Sequence, residues 1–477
     1  MQEKRRSLKE LLQSLPVYDA AKVEAAYQEA LQADGTKVIA LDDDPTGVQT
    51  VHDVFVYTDW KPETMQAAFE DGNKISFILT NSRGMTAEES RRTHEDIATA
   101  VAQVAKSTGR PVAVLCRGDS TLRGHYPLET DVVRKTLEAC GEPPVDGEII
   151  MPFFLEGGRY TVDDVHYVAA GDELIPAAET EFARDKTFGY RSSNLCEWIE
   201  EKTGGTWLAQ QVCTVTLSEL RTLDYEAIED KLLAMKGFSK MIVNAVSEED
   251  VKVFVTALFH VLGRGKHFVY RSAAALAKVM GGVSSRGLLT RQELVGGKAA
   301  VTGIIVAGSH VNKTTTQLQA LKKCEDLCFI EINQHTVVND DAFRREMDRV
   351  VTEAENCLAS GRSCAVYTRR ERFDLNTGNR EDELRLAVKI SDAVTSVVAR
   401  LNIRPDFIIA KGGITSSEIG TKALGCRKAR VMGQILKGVP VWETGPESKF
   451  PGIPYVIFPG NVGNENGLLD AVQKLLY

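Results

Sequence analysis

Short apolar runs alternate with stretches of helical periodicity along almost the whole chain. In the first half, runs at 38–41, 54–58, 75–80, 112–116 and 148–151 predict buried strands. Between them, 87–105 and 128–140 carry the three-to-four-residue spacing of amphipathic helices. In the second half, strands are predicted at 301–306, 328–332, 364–367, 407–410 and 455–458, and helices at 312–323, 340–360 and 380–401. Such alternation predicts an α/β fold with two α/β lobes, each a largely parallel sheet flanked by helices. Ahead of the first strand, Leu8, Leu11, Leu12 and Leu15 fall at helical spacing, so 1–34 reads as an N-terminal helical extension. The glycine-, serine- and polar-rich stretch 281–300 separates the two series and divides the chain into domains at 35–285 and 296–477. A cleft between two lobes is the expected place for an active site that brings two substrates together.

Composition narrows the class. A chain of 477 residues exceeds what one core usually supports, and 43% hydrophobic with 26% charged residues is ordinary for a globular protein. The net charge of −9 argues against a nucleic-acid binder, which carries a basic footprint, but not against local anion pockets. No run approaches the length of a membrane span, and no apolar segment follows the basic residues Lys4, Arg5 and Arg6. A cytoplasmic protein with no membrane partner is expected. Its nine cysteines show no CxxC pair, and Cys324 and Cys328 lack further ligands at zinc-finger spacing, so structural thiols in a reducing compartment are expected.

The chemistry gathers where predicted strands end, which is where open α/β sheets bind ligands. After the first strand comes Leu41-Asp42-Asp43-Asp44-Pro45-Thr46-Gly47, three carboxylates and a glycine turn. Crowded acids need a cation, a base role or a polar substrate to offset their repulsion. The bland alternative is a solvated turn with Asp side chains capping amides. Asn81-Ser82-Arg83-Gly84 follows the third predicted strand, and Arg117-Gly118-Asp119-Ser120-Thr121-Leu122-Arg123-Gly124 follows the fourth. Gly157-Gly158-Arg159 comes after the fifth. Guanidinium forks suit a carboxylate, and Asp, Ser and Thr suit sugar hydroxyls, so a small polyhydroxy acid is the expected ligand, although Arg83 and Arg123 could equally pair with nearby acids.

In the second lobe the signals concern phosphate. Ala307-Gly308-Ser309-His310 precedes a predicted helix, but Asn312 stands where a P-loop needs glycine before Lys313, which leaves a generic anion site at a helix start. Lys411-Gly412-Gly413-Ile414-Thr415-Ser416 and Pro459-Gly460-Asn461-Val462-Gly463 follow later strands, with Thr415 or Ser416 expected to cap a helix. Three such turns in one lobe favour a nucleotide.

Taken together these motifs resemble the four-carbon acid sugar kinases, the group that includes D-threonate, D-erythronate and 3-oxo-tetronate kinases. The family's Asp-Asp-x-Thr-Gly turn stands at 43–47 and its Asp-Ser-Thr-Leu-Arg-Gly signature is complete at 119–124. Gly158-Arg159, Thr180–Asp185, and the elements at 308–309, 412–415 and 460–463 extend the resemblance over most of the chain. It implies an N-terminal substrate domain, a C-terminal ATP domain, and phosphorylation of the acid's terminal hydroxyl by ATP with Mg²⁺. Ser309, Gly412, Gly413, Ile414, Thr415 and Gly460 would then contact ATP, with Lys411 and Asn461 beside the phosphates. Residue chemistry assigns Asp44, with Asp119 behind it, as the base, and Arg83 and Arg123 as holders of the substrate carboxylate. Asp43, Thr46, Asn81, Ser82, Ser120, Thr121 and Arg159 complete the expected substrate site, and no residue is assigned to a metal. A dimer is the default for such an enzyme. The chain departs from the common family form at Pro45, at 48–53 and at His125, which bears on the exact substrate. Rival readings are a nucleotide-cofactor oxidoreductase, disfavoured because no GxGxxG follows the first strand of either lobe, and a non-catalytic sugar-acid-binding protein.

Overall fold

In the computed structural model, which describes residues 4–308, 311–371, 373, 380–460 and 462–477, the chain divides into two compact units. The first holds residues up to Thr50 together with Asp59–Ser284; the second holds Val51–Thr58 and Ser285–Tyr477.

The first unit is built on a parallel sheet ordered Cys213–Val215, Ser239–Val243, Gly147–Met151, Phe268–Ser272, Val112–Arg117, Lys37–Asp42, Ile75–Leu79. Lys37–Asp42, Ile75–Leu79, Gly147–Met151 and Phe268–Ser272 are buried at every position, which is why these runs read as continuous apolar stretches. The flanking helix Ala87–Thr108 starts where the sequence says it should: Thr86 and Glu89 form a reciprocal capping box, and Gly109 ends the helix in the left-handed region. The strands Cys213–Val215, Ser239–Val243 and Phe268–Ser272 lie outside the elements expected from the sequence. A separate antiparallel sheet, Arg6–Ser7, Glu173–Pro176, Val165–Ala170 and Arg159–Val162, was also unpredicted.

The N-terminal residues are not a free extension. Arg6–Ser7 is an edge strand, and helix Ala20–Ala33 lies on helix Glu248–Leu262, burying Val23 and Tyr27. The Tyr27 hydroxyl donates to the Val279 carbonyl at 2.7 Å.

In the second unit the strand order is Phe55–Tyr57, Lys428–Leu436, Val439–Thr444, Pro454–Phe458, Phe407–Lys411, Gly303–Ala307, Ser363–Thr368, Leu327–Ile332. The first four pair antiparallel and the rest run parallel, so the sheet is mixed. Phe407, Ile409, Val456 and Phe458 lie in its core. Two features differ from expectation. The run at 54–58, expected in the first lobe, pairs here with Lys428–Arg430. Within the stretch expected to be a linker, Leu289 is buried in this core and its amide donates to Gln434 at 2.8 Å. Cys328 and Cys357 form a disulfide between strand Leu327–Ile332 and helix Asp340–Ala359, which corrects the expectation of free thiols for that pair.

Candidate active site

The acidic turn follows strand Lys37–Asp42, whose neighbours Ile75–Leu79 and Val112–Arg117 deliver the other two polar clusters beside it. The loops are stitched together by backbone: the Asp43 amide donates to the Arg117 carbonyl, and the Thr80 amide to the Asp42 carbonyl, at 3.2 and 2.9 Å.

Each aspartate of the turn has its own setting. Asp42 is 1% exposed, 3.8 Å from Arg117 Nη1, and burial pushes its carboxyl up to about 8 despite that guanidinium. Gly47 is forced by this packing, since a Cβ there would sit 1.8 Å from Asp42 Oδ2. Asp43 is bound through both oxygens by Arg83, Nη2–Oδ1 2.6 Å and Nε–Oδ2 3.0 Å. Burial raises the Asp43 carboxyl, against the pull of Arg83. Removing one member of such a buried pair leaves an uncompensated charge, a loss of about 3–5 kcal/mol. Asp44 is the open one. Its side chain is 20% exposed; Oδ1 accepts from the Thr46 amide and hydroxyl at 2.9 and 2.6 Å, and Oδ2 lies 3.4 Å from Arg83 Nη1.

The loop 117–124 folds around Asp119, which accepts from the Thr121 hydroxyl and from Arg123 Nε at 2.9 Å. Burial would raise the Asp119 carboxyl, but Arg83 and Arg123 hold it well below the usual range. Arg123 also faces Asp185 at 3.9 Å, and its guanidinium lies 5.1 Å from the centre of the Phe182 ring. Thus Arg83 and Arg123, expected to hold a substrate carboxylate, are both committed to carboxylates of the protein. Ser82 is fully buried and donates to Glu129 at 2.7 Å, which withdraws its hydroxyl from a ligand. Asn81 adopts the left-handed region ahead of it. Ser120 contributes its carbonyl to His166 Nε2 at 2.8 Å.

One residue escaped sequence reasoning and organises this loop. Arg271, in strand Phe268–Ser272, is 4% exposed, donates from Nη2 to the Arg123 carbonyl at 2.8 Å and pairs with Glu129 at 3.3 Å. A Cβ on Gly118 would fall 1.8 Å from its Nη1, and one on Gly124 2.9 Å from its Nη2. Both glycines of the motif therefore exist to let the loop close on this guanidinium. The available signal was an arginine near the end of an apolar run, Phe268-Val269-Tyr270-Arg271, the same signature that marked Arg117.

The second unit places Gly308 directly after Gly303–Ala307, where an added Cβ would meet Thr415 Oγ1 at 3.2 Å. Ser309 and Asn461 lie outside the described residues. Helix Gly413–Glu418 begins earlier than expected, with Gly412 at φ 112 as its cap and no side-chain cap, so Thr415 and Ser416 are inside it. Ser416 donates instead to the Ala410 carbonyl at 2.9 Å. The amides of 413–415 have no intrahelical acceptor, as at any helix start. Ile414 is 71% exposed beside them. Lys411 is fully buried: Nζ donates to the carbonyls of Pro459 and Gly460 at 2.6 and 3.1 Å and sits 4.4 Å from the Phe458 ring centre. Burial, then Lys313, brings it down to about 7. Lys411 ties the 459–460 turn to the end of strand Phe407–Lys411 rather than extending outward. Among the described residues no cluster of three or more His, Cys, Asp or Glu is placed to hold a metal ion.

Residues 38–280 match the family model of a sugar-binding N-terminal domain, and 304–468 that of a nucleotide-binding C-terminal domain. A D-erythronate kinase of Heliobacterium modesticaldum is 24% identical over 468 residues, covering 92% of this chain and 97% of that protein. Two crystal structures share the fold. One, a Salmonella typhimurium protein described as a putative tRNA synthase, has a TM-score of 0.63 at 17% identity, covering 91% of this chain and 98% of its own. The other, from Haemophilus influenzae, has a TM-score of 0.59 at 18% identity over 92% of this chain and all of its own.

Proposed function

The chain belongs to the four-carbon acid sugar kinase family, and from that premise we propose that it transfers the γ-phosphoryl of ATP to the terminal hydroxyl of a four-carbon sugar acid. The observation that carries this reading is the division of labour among the strand-end carboxylates. Asp43 and Asp119 are locked into arginines, whereas Asp44 keeps one oxygen fixed by Thr46 and the other 3.4 Å from Arg83 Nη1, in a side chain that is 20% exposed. Such a carboxylate suits the task of orienting an attacking hydroxyl and taking its proton.

Arg83 has two roles here. It neutralises Asp43 through a bidentate pair, and its Nη1, 3.4 Å from Asp44 Oδ2, restrains that side chain. Asp119, kept ionised by its arginines, is suited to accept hydrogen bonds from sugar hydroxyls. In the second unit the amides of 413–415 and the glycine backbone at 308 and 412 suit phosphate oxygens. Glu418, the nearest acid in that helix, is engaged by Ser391 and Lys422, so the described turns offer amides and hydroxyls and no free carboxylate for Mg²⁺. The ion is therefore expected on the phosphates themselves, where it offsets their charge. A cytoplasmic location accords with this reading; no described helix is long and apolar enough to cross a membrane.

The test is ADP release by the purified protein with ATP and Mg²⁺ across D- and L-threonate, D- and L-erythronate and 3-oxo-tetronate. Turnover with one of these acids and none without acid is expected. Absence of turnover with all of them, together with thermal stabilisation by NAD and not by ATP, would move the assignment to an oxidoreductase.

A further inference from the structure

Three arginines surround Asp119 electrostatically, and two are already matched to carboxylates: Arg83 to Asp43 and Asp44, Arg123 to Asp119 and Asp185. The third is different. Arg159 opens strand Arg159–Val162 after Gly157-Gly158, and the one side-chain hydrogen bond it makes among the described residues runs from Nη1 to the Gly157 carbonyl. Its Nε is buried with no partner, and Nη2 donates to nothing among the described residues. The Nε–Nη2 edge is one of the two that can grip a carboxylate through two parallel bonds.

The surroundings explain why that edge is left over. The guanidinium lies 5.4 Å from the centre of the Phe182 ring, to which Arg123 also comes within 5.1 Å. Burial works most strongly against its charge and Arg123 adds to that, while Asp119 and, more weakly, Tyr190 support it. His166 cannot supply a rival cation, because burial drives it down to about 4 and both ring nitrogens are engaged, by Ser120 and Thr161. A buried donor without an acceptor is among the least favourable arrangements in a folded protein. It is tolerated where a ligand completes it.

The geometry points to Arg159 as the anchor of the substrate's carboxylate, the residue that makes the site selective for an acid over a neutral four-carbon polyol. Arg83 and Arg123 then shape the acidic loops and do not carry this selectivity. The assignment rests on the acid sugar kinase reading above and adds to it which end of the acceptor each part of the site holds: the carboxylate at Arg159, the reacting hydroxyl at Asp44.

The test compares wild type, Arg159→Met and Arg159→Lys with ATP on the best four-carbon acid and on erythritol. Arg159→Met should raise KM for the acid by about 30-fold, the order expected for losing a charge-assisted pair, with kcat and the KM for ATP within about 3-fold. Its preference for acid over erythritol should fall by a similar factor, and Arg159→Lys should recover part of the loss. An acid KM within about 3-fold of wild type in a variant that keeps turnover overturns the assignment and leaves the kinase reading standing. Should Arg159→Met fail to fold, the KM of Arg159→Lys decides in the same way, because a lysine cannot reproduce the fork. Wild-type protein that turns over none of the acids overturns both.

Discussion

Asp42, Asp43 and Asp44 follow one another in the chain, and alternate neighbours give each a different electrical environment. Of the three, the Asp44 side chain is the most exposed, at 20%, so Asp44→Asn should lower kcat by about a thousandfold, within the range for loss of a general base. ATP affinity, read by thermal shift or calorimetry, should stay within about 3-fold; turnover close to wild type would remove Asp44 from the role. Asp42 makes a prediction about stability. Its folded value of about 8 lies above the ordinary value of about 3.9 in an unfolded chain. Between those values the folded state holds a proton that the unfolded state has lost, so this contribution is full below the unfolded value and is lost as pH rises through about 8. Asp42→Asn removes the titration. Its melting temperature relative to wild type should therefore be more favourable at pH 9 than at pH 5; an equal difference at both would mean that Asp42 does not hold a proton in the native state.

At the scale of elements, the loop 117–124 depends on Arg271, which reaches it from a strand about 150 positions later in the chain. Gly118 is the point of closest approach. Gly118→Ala should destabilise the protein by about 1–3 kcal/mol in urea unfolding, as overpacking against a buried and bonded group does. The same change at Gly35, where an added Cβ meets nothing within 4 Å, is the control and should be near neutral. Comparable losses at both positions would remove the special role of the Arg271 contact.

For the whole molecule, the segment Val51–Thr58 matters because it belongs to the second unit while lying in sequence between parts of the first. Phe55–Tyr57 covers the edge of strand Lys428–Leu436, and Asp53 takes Arg430 at 2.8 Å and Arg286 at 3.5 Å. A fragment 285–477 would expose that edge, a known template for aggregation, and leave both arginines without this partner. The fragment should melt lower or aggregate, and a synthetic peptide of residues 51–58 should raise its melting temperature. A fragment equally soluble and stable with and without the peptide would show that the exchanged strand contributes little.

Residue order by itself determined the alternation of strands and helices, the caps of helices such as Ala87–Thr108, and the placement of the polar clusters at strand ends. These are local matters, fixed by periodicity and by glycine, threonine and aspartate within a few positions of one another. The family motifs were legible for the same reason, because their residues are contiguous. Only the tertiary structure decided what each charged group faces: that Arg83 and Arg123 are paired within the protein, that Arg159 is not, that Arg271 braces two glycines, and that Cys328 meets Cys357. It also placed 51–58 in the second unit. Those outcomes join residues tens to hundreds of positions apart, and a guanidinium or a thiol carries no mark in the sequence of the partner that the packing will bring to it.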